Sequence, residues 1–338
     1  MPPNPIISVV TVDLADDLRK GIPVDWTLAI GALCVGPVVG LTGMGGGALM
    51  TPMLVLFFGV SPLAAVSSDL VASAVMKPVG SAVHLRNRTV RMDLVRWLCI
   101  GSVPAAFAGV LIAKALGRSA GIDVFIQRAL GVALIIAATG LFVRAYLRLA
   151  ERARHSDGRR EADPLGPPVL DVRPLLTIAV GAIGGLVVGI TSVGSGSLII
   201  IALMLLYPAL RASELVGTDL VQAVPLVASA AIGHLIFGDF QLSITSALLV
   251  GSIPGAYIGA KLSTRLSGAL IRRALAFVLL ASALKLLGID TVVTAVLLLA
   301  VAVIAGPVWM LLRKRHGFPA WPSHEPAVRA AQLDQVAV

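Results

Sequence analysis

Apolar residues run through this chain in blocks about one bilayer long, separated by short stretches of glycine, proline and charge. A helix needs about 20 apolar residues to cross the hydrocarbon core. That length predicts full spans over residues 62–85, 93–114, 121–147, 212–237, 242–262, 270–288 and 291–312. Residues 26–43 and 47–59, and again 174–193 and 196–208, are shorter apolar runs, each pair split by a glycine-rich motif. Such a pair reads either as two half-helices meeting at membrane depth or as two ordinary spans joined by a tight turn. Irregular backbone is tolerated at that depth only where protein covers it or where it lines a cavity. The expected fold is all-α and polytopic, with about 8–10 transmembrane segments and Gly-interrupted, re-entrant helices opening each half.

The pattern also repeats. Gly40-Leu41-Thr42-Gly43-Met44-Gly45-Gly46-Gly47 returns 149 positions later as Gly189-Ile190-Thr191-Ser192-Val193-Gly194-Ser195-Gly196. Further on the shift is 150: Asp69-Leu70-Val71 becomes Asp219-Leu220-Val221, His84-Leu85 becomes His234-Leu235, and Gly101-Ser102-Val103-Pro104 becomes Gly251-Ser252-Ile253-Pro254. A single one-residue insertion reconciles the two shifts. A duplicated bundle with broken helices in corresponding positions is the sequence sign of a transporter.

Composition places the chain in a membrane. Of its 338 residues 57% are hydrophobic and only 13% charged, against about 25% charged in soluble domains; mean hydropathy is +0.93. The net charge of +9 comes from basic residues lying between apolar runs, so it reads as a topology signal and not as a nucleic-acid surface. Cys34 and Cys99 lie in apolar stretches without metal-ligand spacing and are expected to be buried, inert thiols. The acidic start (Asp13, Asp16, Asp17, Asp25) lacks the basic opening of a cleavable signal peptide.

Basic clusters orient the bundle. Arg86, Arg88, Arg91 and Arg96, the arginines between Arg144 and Arg173, the group Lys261 to Arg273, and Arg313-Lys314-Arg315 all fall on one side when the spans are counted between them. That side is assigned to the cytoplasm; Lys114, Arg118 and Arg128 are the exceptions. The loop after His84 then lies inside and the loop after His234 outside, so the halves are inverted repeats. The expected organisation is an N-terminal segment (1–25), a first transmembrane repeat (26–147), a charged cytoplasmic linker (148–172), a second repeat (173–312) and a disordered cytoplasmic tail (313–338), in a multi-pass protein of the cytoplasmic (inner) membrane.

Ionisable groups within spans are costly and call for an explanation. Asp69 and Asp219 stand at equivalent positions early in equivalent spans, as helix caps or as carboxylates coupling transport to a proton or cation. Lys77, with Val227 at the equivalent position, lies well inside its span and on one helix face with Asp69 and Ser73; it is expected to partner an anionic substrate. His84 and His234 are candidate proton relays, although both lie near span ends. The motifs Thr42, Gly43, Gly45, Gly46, Gly47 and Thr191, Ser192, Gly194, Ser195, Gly196 offer backbone N–H groups and hydroxyls at helix N-termini, which suit an anion; Thr51 and Ser197 add hydroxyls. Gly101–Pro104 and Gly251–Pro254 are assigned to close packing or kinks.

The opening motif Gly40-Leu41-Thr42-Gly43-Met44-Gly45-Gly46-Gly47-Ala48-Leu49 with Pro52, its second copy degraded by Ser192 and Ser195, resembles the TauE/SafE family of sulfite exporters over residues about 26–310. The resemblance implies an inner-membrane transporter of small sulfur-containing or organic anions such as sulfite or sulfonates. It supplies no site residues, which rest on the reading above. The function expected is a secondary transporter, exporter or permease, working by alternating access with proton coupling at Asp69 or Asp219. No G-x-x-x-x-G-K-[ST] loop is present for ATP hydrolysis. The alternatives are a transition-metal permease, disfavoured by five scattered histidines, and an intramembrane enzyme, disfavoured by the lack of an H-E-x-x-H or Cys/His cluster. No cofactor, metal or nucleic acid is implied; the partners are a small anionic solute and membrane lipid.

Overall fold

The computed structural model describes residues 24–42, 46–116, 120–156, 171–210, 212–262 and 268–315. Among them stand eleven helices: α1 Trp26–Thr42, α2 Gly47–Phe57, α3 Pro62–Arg86, α4 Met92–Ala115, α5 Ala120–Ser156, α6 Pro174–Thr191, α7 Leu198–Leu206, α8 Ala212–Phe237, α9 Leu242–Leu262, α10 Gly268–Leu286 and α11 Thr291–Arg315. The protein is all-helical. Seven of the helices are long and apolar enough to cross a membrane: α3, α4, α6, α8, α9, α11 and the Gly121–Val143 part of α5. Pro174–Thr191 is thus one unbroken span-length helix.

The helix starts follow local chemistry. Asp25 caps α1, its Oδ1 accepting from Thr27 N at 2.9 Å and Leu28 N at 3.2 Å. Ser61 caps α3 through Ala64 N, with Pro62 in the first turn. Asp290 Oδ2 accepts from Val292 N at the start of α11. In contrast, α2 and α7 have 11 and 9 residues, about 16 and 14 Å at 1.5 Å per residue, roughly half the hydrocarbon thickness.

The helices form two units. Residues up to Leu141 together with Leu170–Gly288 make one; Phe142–Val169 and Ile289–Val338 make the other. In the first unit, α4 lies along α6, α9 lies along α1, and α3 packs on α8. Glycines allow the first two contacts. A Cβ on Gly101 would sit 2.1 Å from Ile178 O, and one on Gly251 would sit 2.0 Å from Ala29 O. The second contact is the first shifted by the repeat interval. Likewise Gly189 meets Ala106 O, as Gly40 meets Ala256 O. Helix backbones that touch in this way are the small-residue packing of membrane bundles, the role expected of Gly101 and Gly251.

Two apolar clusters flank this arrangement. Leu130, Leu134, Ala137 and Leu141 of α5 pack with Leu275, Leu279 and Ala283 of α10, and Ala48 and Val193 join them. The other joins Leu28 and Ala32 of α1, Met50 and Leu54 of α2, Ala65 and Ala72 of α3, and Ile244 and Leu248 of α9. In the second unit α11 presents an apolar surface, with Val292, Val296, Leu299 and Val303 exposed. Cys34, expected to be buried, is exposed on α1. The linker expected over 148–172 is helical through Ser156 at the end of α5, and residues 157–170 lie outside the described residues, as do 1–23 and 316–338.

Candidate functional site

The path between α6 and α7 is irregular and wholly inside the protein. Ser192 adopts a left-handed conformation (φ 59°), as do Gly194 (φ 135°) and Gly196 (φ 98°), while residues 191–197 are all buried. A β-branched residue at either glycine would be strained. Thr191 closes the turn: its hydroxyl contacts Val187 O at 2.7 Å and Val193 O and accepts from Val193 N. The amides of Ser197, Leu198 and Ile199 all point to Gly194 O. Several donors expected to hold an anion are therefore used within the motif, and its hydroxyls are what face outward from it.

Those hydroxyls meet α3. Ser192 Oγ donates to Asp69 Oδ2 at 2.5 Å, and Thr51 Oγ1 of α2 donates to the same oxygen at 3.0 Å. Two turns along, Lys77 Nζ donates to Ser195 Oγ. All of these residues are buried, Asp69 being only 2% exposed. The first motif closes in from the other side. A Cβ on Gly47 would lie 2.1 Å from Ser192 O and 2.8 Å from its Oγ, and one on Gly46 would lie 3.6 Å from Asp69 Oδ1 and 4.0 Å from Ser73 Oγ. At Gly47 only glycine permits this approach of the two motifs. Gly43 and Gly45 lie outside the described residues, and Thr42 is the last residue of α1.

Asp69 is the eighth residue of α3, whose cap is Ser61, and it takes hydroxyl rather than backbone donors. It is not a helix cap. Asp219 lies as deep in α8, where Gln222 Nε2 donates to its Oδ1 at 3.3 Å and Ser102 of α4 donates to Gln222 Oε1 at 3.2 Å. Lys77 lies within Coulombic reach of both carboxylates. Gln222 and Ser102 escaped the sequence reading. Gln222, three residues after Asp219 on the same helix face, is the signal that would have found the first, whereas Ser102 sits inside a motif read as packing.

The histidines stand apart from this cluster. His234 is fully buried, with Nδ1 2.9 Å from Ser67 Oγ and Nε2 2.8 Å from Gly189 O. His84, in the last turn of α3, pairs through Nδ1 with Thr89 Oγ1 at 2.9 Å. Both lie beside helix-end clasps that the repeat relates. Arg91 N donates to Thr218 Oγ1 at 3.0 Å, and 150 residues away Gln241 N donates to Ser68 Oγ at 3.3 Å. Arg91 also pairs with Glu214 at 3.8 Å.

Span-length apolar helices, two short helices ending inside the protein, and a buried carboxylate–ammonium–hydroxyl cluster where they meet define a multi-pass membrane protein of the transporter class. The chain matches the description "Sulfite exporter TauE/SafE" over residues 28–286 and belongs to that family. It is 39% identical over 256 residues to the probable membrane transporter protein YjnA of Bacillus subtilis (strain 168), covering 75% of this chain and 96% of that protein. It is 25% identical over 248 residues to the probable membrane transporter protein YunE of the same organism, covering 71% and 87%. No solved structure matches it. Family and relatives alike are transporters by name, not enzymes.

Proposed function

We propose that this protein is a secondary transporter of a small sulfur-containing or organic anion, such as sulfite or a sulfonate, across the cytoplasmic membrane. The observation that supports this most is Lys77: a buried ammonium in the interior of a span, bonded to a hydroxyl of the broken-helix motif. A buried cation beside hydroxyl donors is the arrangement that a small oxyanion recognises, charge against charge with O–H groups to its remaining oxygens. The hydroxyls of Ser192 and Ser195 complete the set of donors. An ammonium with hydroxyl donors suits an oxyanion, and among the described residues no group of His, Cys, Asp or Glu is placed to hold a transition metal.

In this reading the two halves are inverted repeats that rock about α3 and α8, exposing the site to each side in turn. The repeat-matched contacts of Gly101 with Ile178 and of Gly251 with Ala29 support it. Entry of the anion is coupled to a proton taken up by Asp69 or Asp219. The test is uptake of radiolabelled sulfite and small sulfonates by purified protein in liposomes, with and without an imposed pH gradient. Gradient-driven accumulation of one of them is expected. A flux that ignores the gradient overturns the coupling, and no flux of any tested anion overturns the substrate class.

A further inference from the structure

Asp69 and Asp219 are repeat-equivalent, yet their surroundings are not. Around Asp69 stand Thr51, Ser73 and Ser192, with Lys77 and Ser195 beyond. The repeat gives Thr51, Ser73, Ser192, Lys77 and Ser195 the counterparts Ile200, Ala223, Gly43, Val227 and Gly46, none with a hydroxyl or a charge. Three hydroxyls stand around the one carboxylate of Asp69. A proton alone needs no such shell, since a protonated carboxyl requires one acceptor.

Among the described residues, no nitrogen cation stands within ion-pair distance of Asp69. Lys77 donates to Ser195 instead. An unpaired carboxylate in a site 2% exposed is costly. What surrounds it is all oxygen: Thr51 Oγ1 and Ser192 Oγ on Oδ2, and Ser73 Oγ on the same side of Gly46 as Oδ1. Hydroxyls that now donate can rotate and offer lone pairs. The site also lies at the C-terminal end of α6, whose dipole favours positive charge.

We propose that Asp69, Thr51, Ser192 and Ser73 form a binding site for a monovalent alkali cation, sodium. One carboxylate neutralises one positive charge, so a divalent ion would leave an excess charge in a low-dielectric site. Oxygen-only ligands suit a hard ion. The assignment rests on the transporter reading and deepens it. Sodium at Asp69 and the anion at Lys77 are neighbours of opposite sign on one face of α3, each favouring the other, which leaves the proton to Asp219.

The test is thermal unfolding of the purified full-length chain in sodium, potassium and choline chloride at equal ionic strength and pH. Sodium alone should raise the melting temperature, saturably, as a ligand that binds only the folded state. Asp69→Asn should abolish the shift. Thr51→Val should raise the half-maximal sodium concentration at least about tenfold, while Thr51→Ser, which keeps the hydroxyl, should restore it. This pair keeps the test decisive if Asp69→Asn does not fold. Equal melting in all three salts, or an unchanged sodium response in Thr51→Val, overturns the site. No transported anion is involved, so a sodium effect without anion flux would refute only the function above, and anion flux without a sodium effect would refute only this site.

Discussion

Three side chains of α3 set the chemistry of the interior: Asp69, Ser73 and Lys77, spaced four residues apart on one face. Burying an ammonium and a carboxylate on the same helix is expensive, and the cost is met by hydroxyls brought from α2 and from the α6–α7 turn. Asp219→Asn should flatten or displace the pH dependence of anion flux, measured across a series of external pH values; an unaltered profile would remove proton coupling from this residue. Gln222 holds the Asp219 carboxylate, so Gln222→Leu should shift that profile as Asp219→Asn does while the protein still inserts. An unchanged profile would make Gln222 a packing residue. Lys77 and both aspartates were legible in the sequence because charge inside an apolar run is conspicuous. Ser73 showed only as a neighbour on their helix face. Gln222 was legible by its spacing from Asp219 although it escaped the reading, whereas Ser102 was not, since a serine in a Gly-Ser-Val-Pro motif looks like packing until the partner helix is in place.

At the scale of elements, the boundaries of the long helices followed from apolar length and caps, within a few residues of those expected except at the end of α5, which runs to Ser156 where 147 was expected. The break in the second half was also legible, because Ser192–Ser197 interrupts an apolar stretch with small residues. Its internal bonding was not: that Gly194 O gathers three amides depends on left-handed torsions that sequence does not display. Nor was the assignment of spans complete. Pro174–Thr191 is long and apolar enough to cross, where the sequence left a choice between a half-helix and an ordinary span. The packing of α6 on α4 has no room at Gly189, where a Cβ would come 2.2 Å from Ala106 O. Gly189→Ala should therefore destabilise the bundle by about 1–3 kcal/mol or more, and Gly40→Ala should do the same through Ala256. Thermal unfolding in detergent checks both; wild-type melting in either variant would mean that the helices separate without loss.

At the scale of the whole molecule, the duplication explains why the contacts come in matched pairs and why the site does not. Close helix packing is served by the same glycines in both halves, so both copies keep them. The positions around the cluster have diverged: hydroxyls and a lysine stand around Asp69, with aliphatic residues and glycine as their counterparts in the repeat. The central claim is that this single cluster on α3, with Lys77 as the positive partner, carries the transported anion. It is tested most directly by measuring anion flux for the wild type, Lys77→Met and Lys77→Arg in liposomes at matched protein content. The account predicts that Lys77→Met inserts and folds but transports at less than about a tenth of the wild-type rate, as loss of a buried charge partner costs 2–5 kcal/mol, with Lys77→Arg in between. Wild-type flux in Lys77→Met would contradict it.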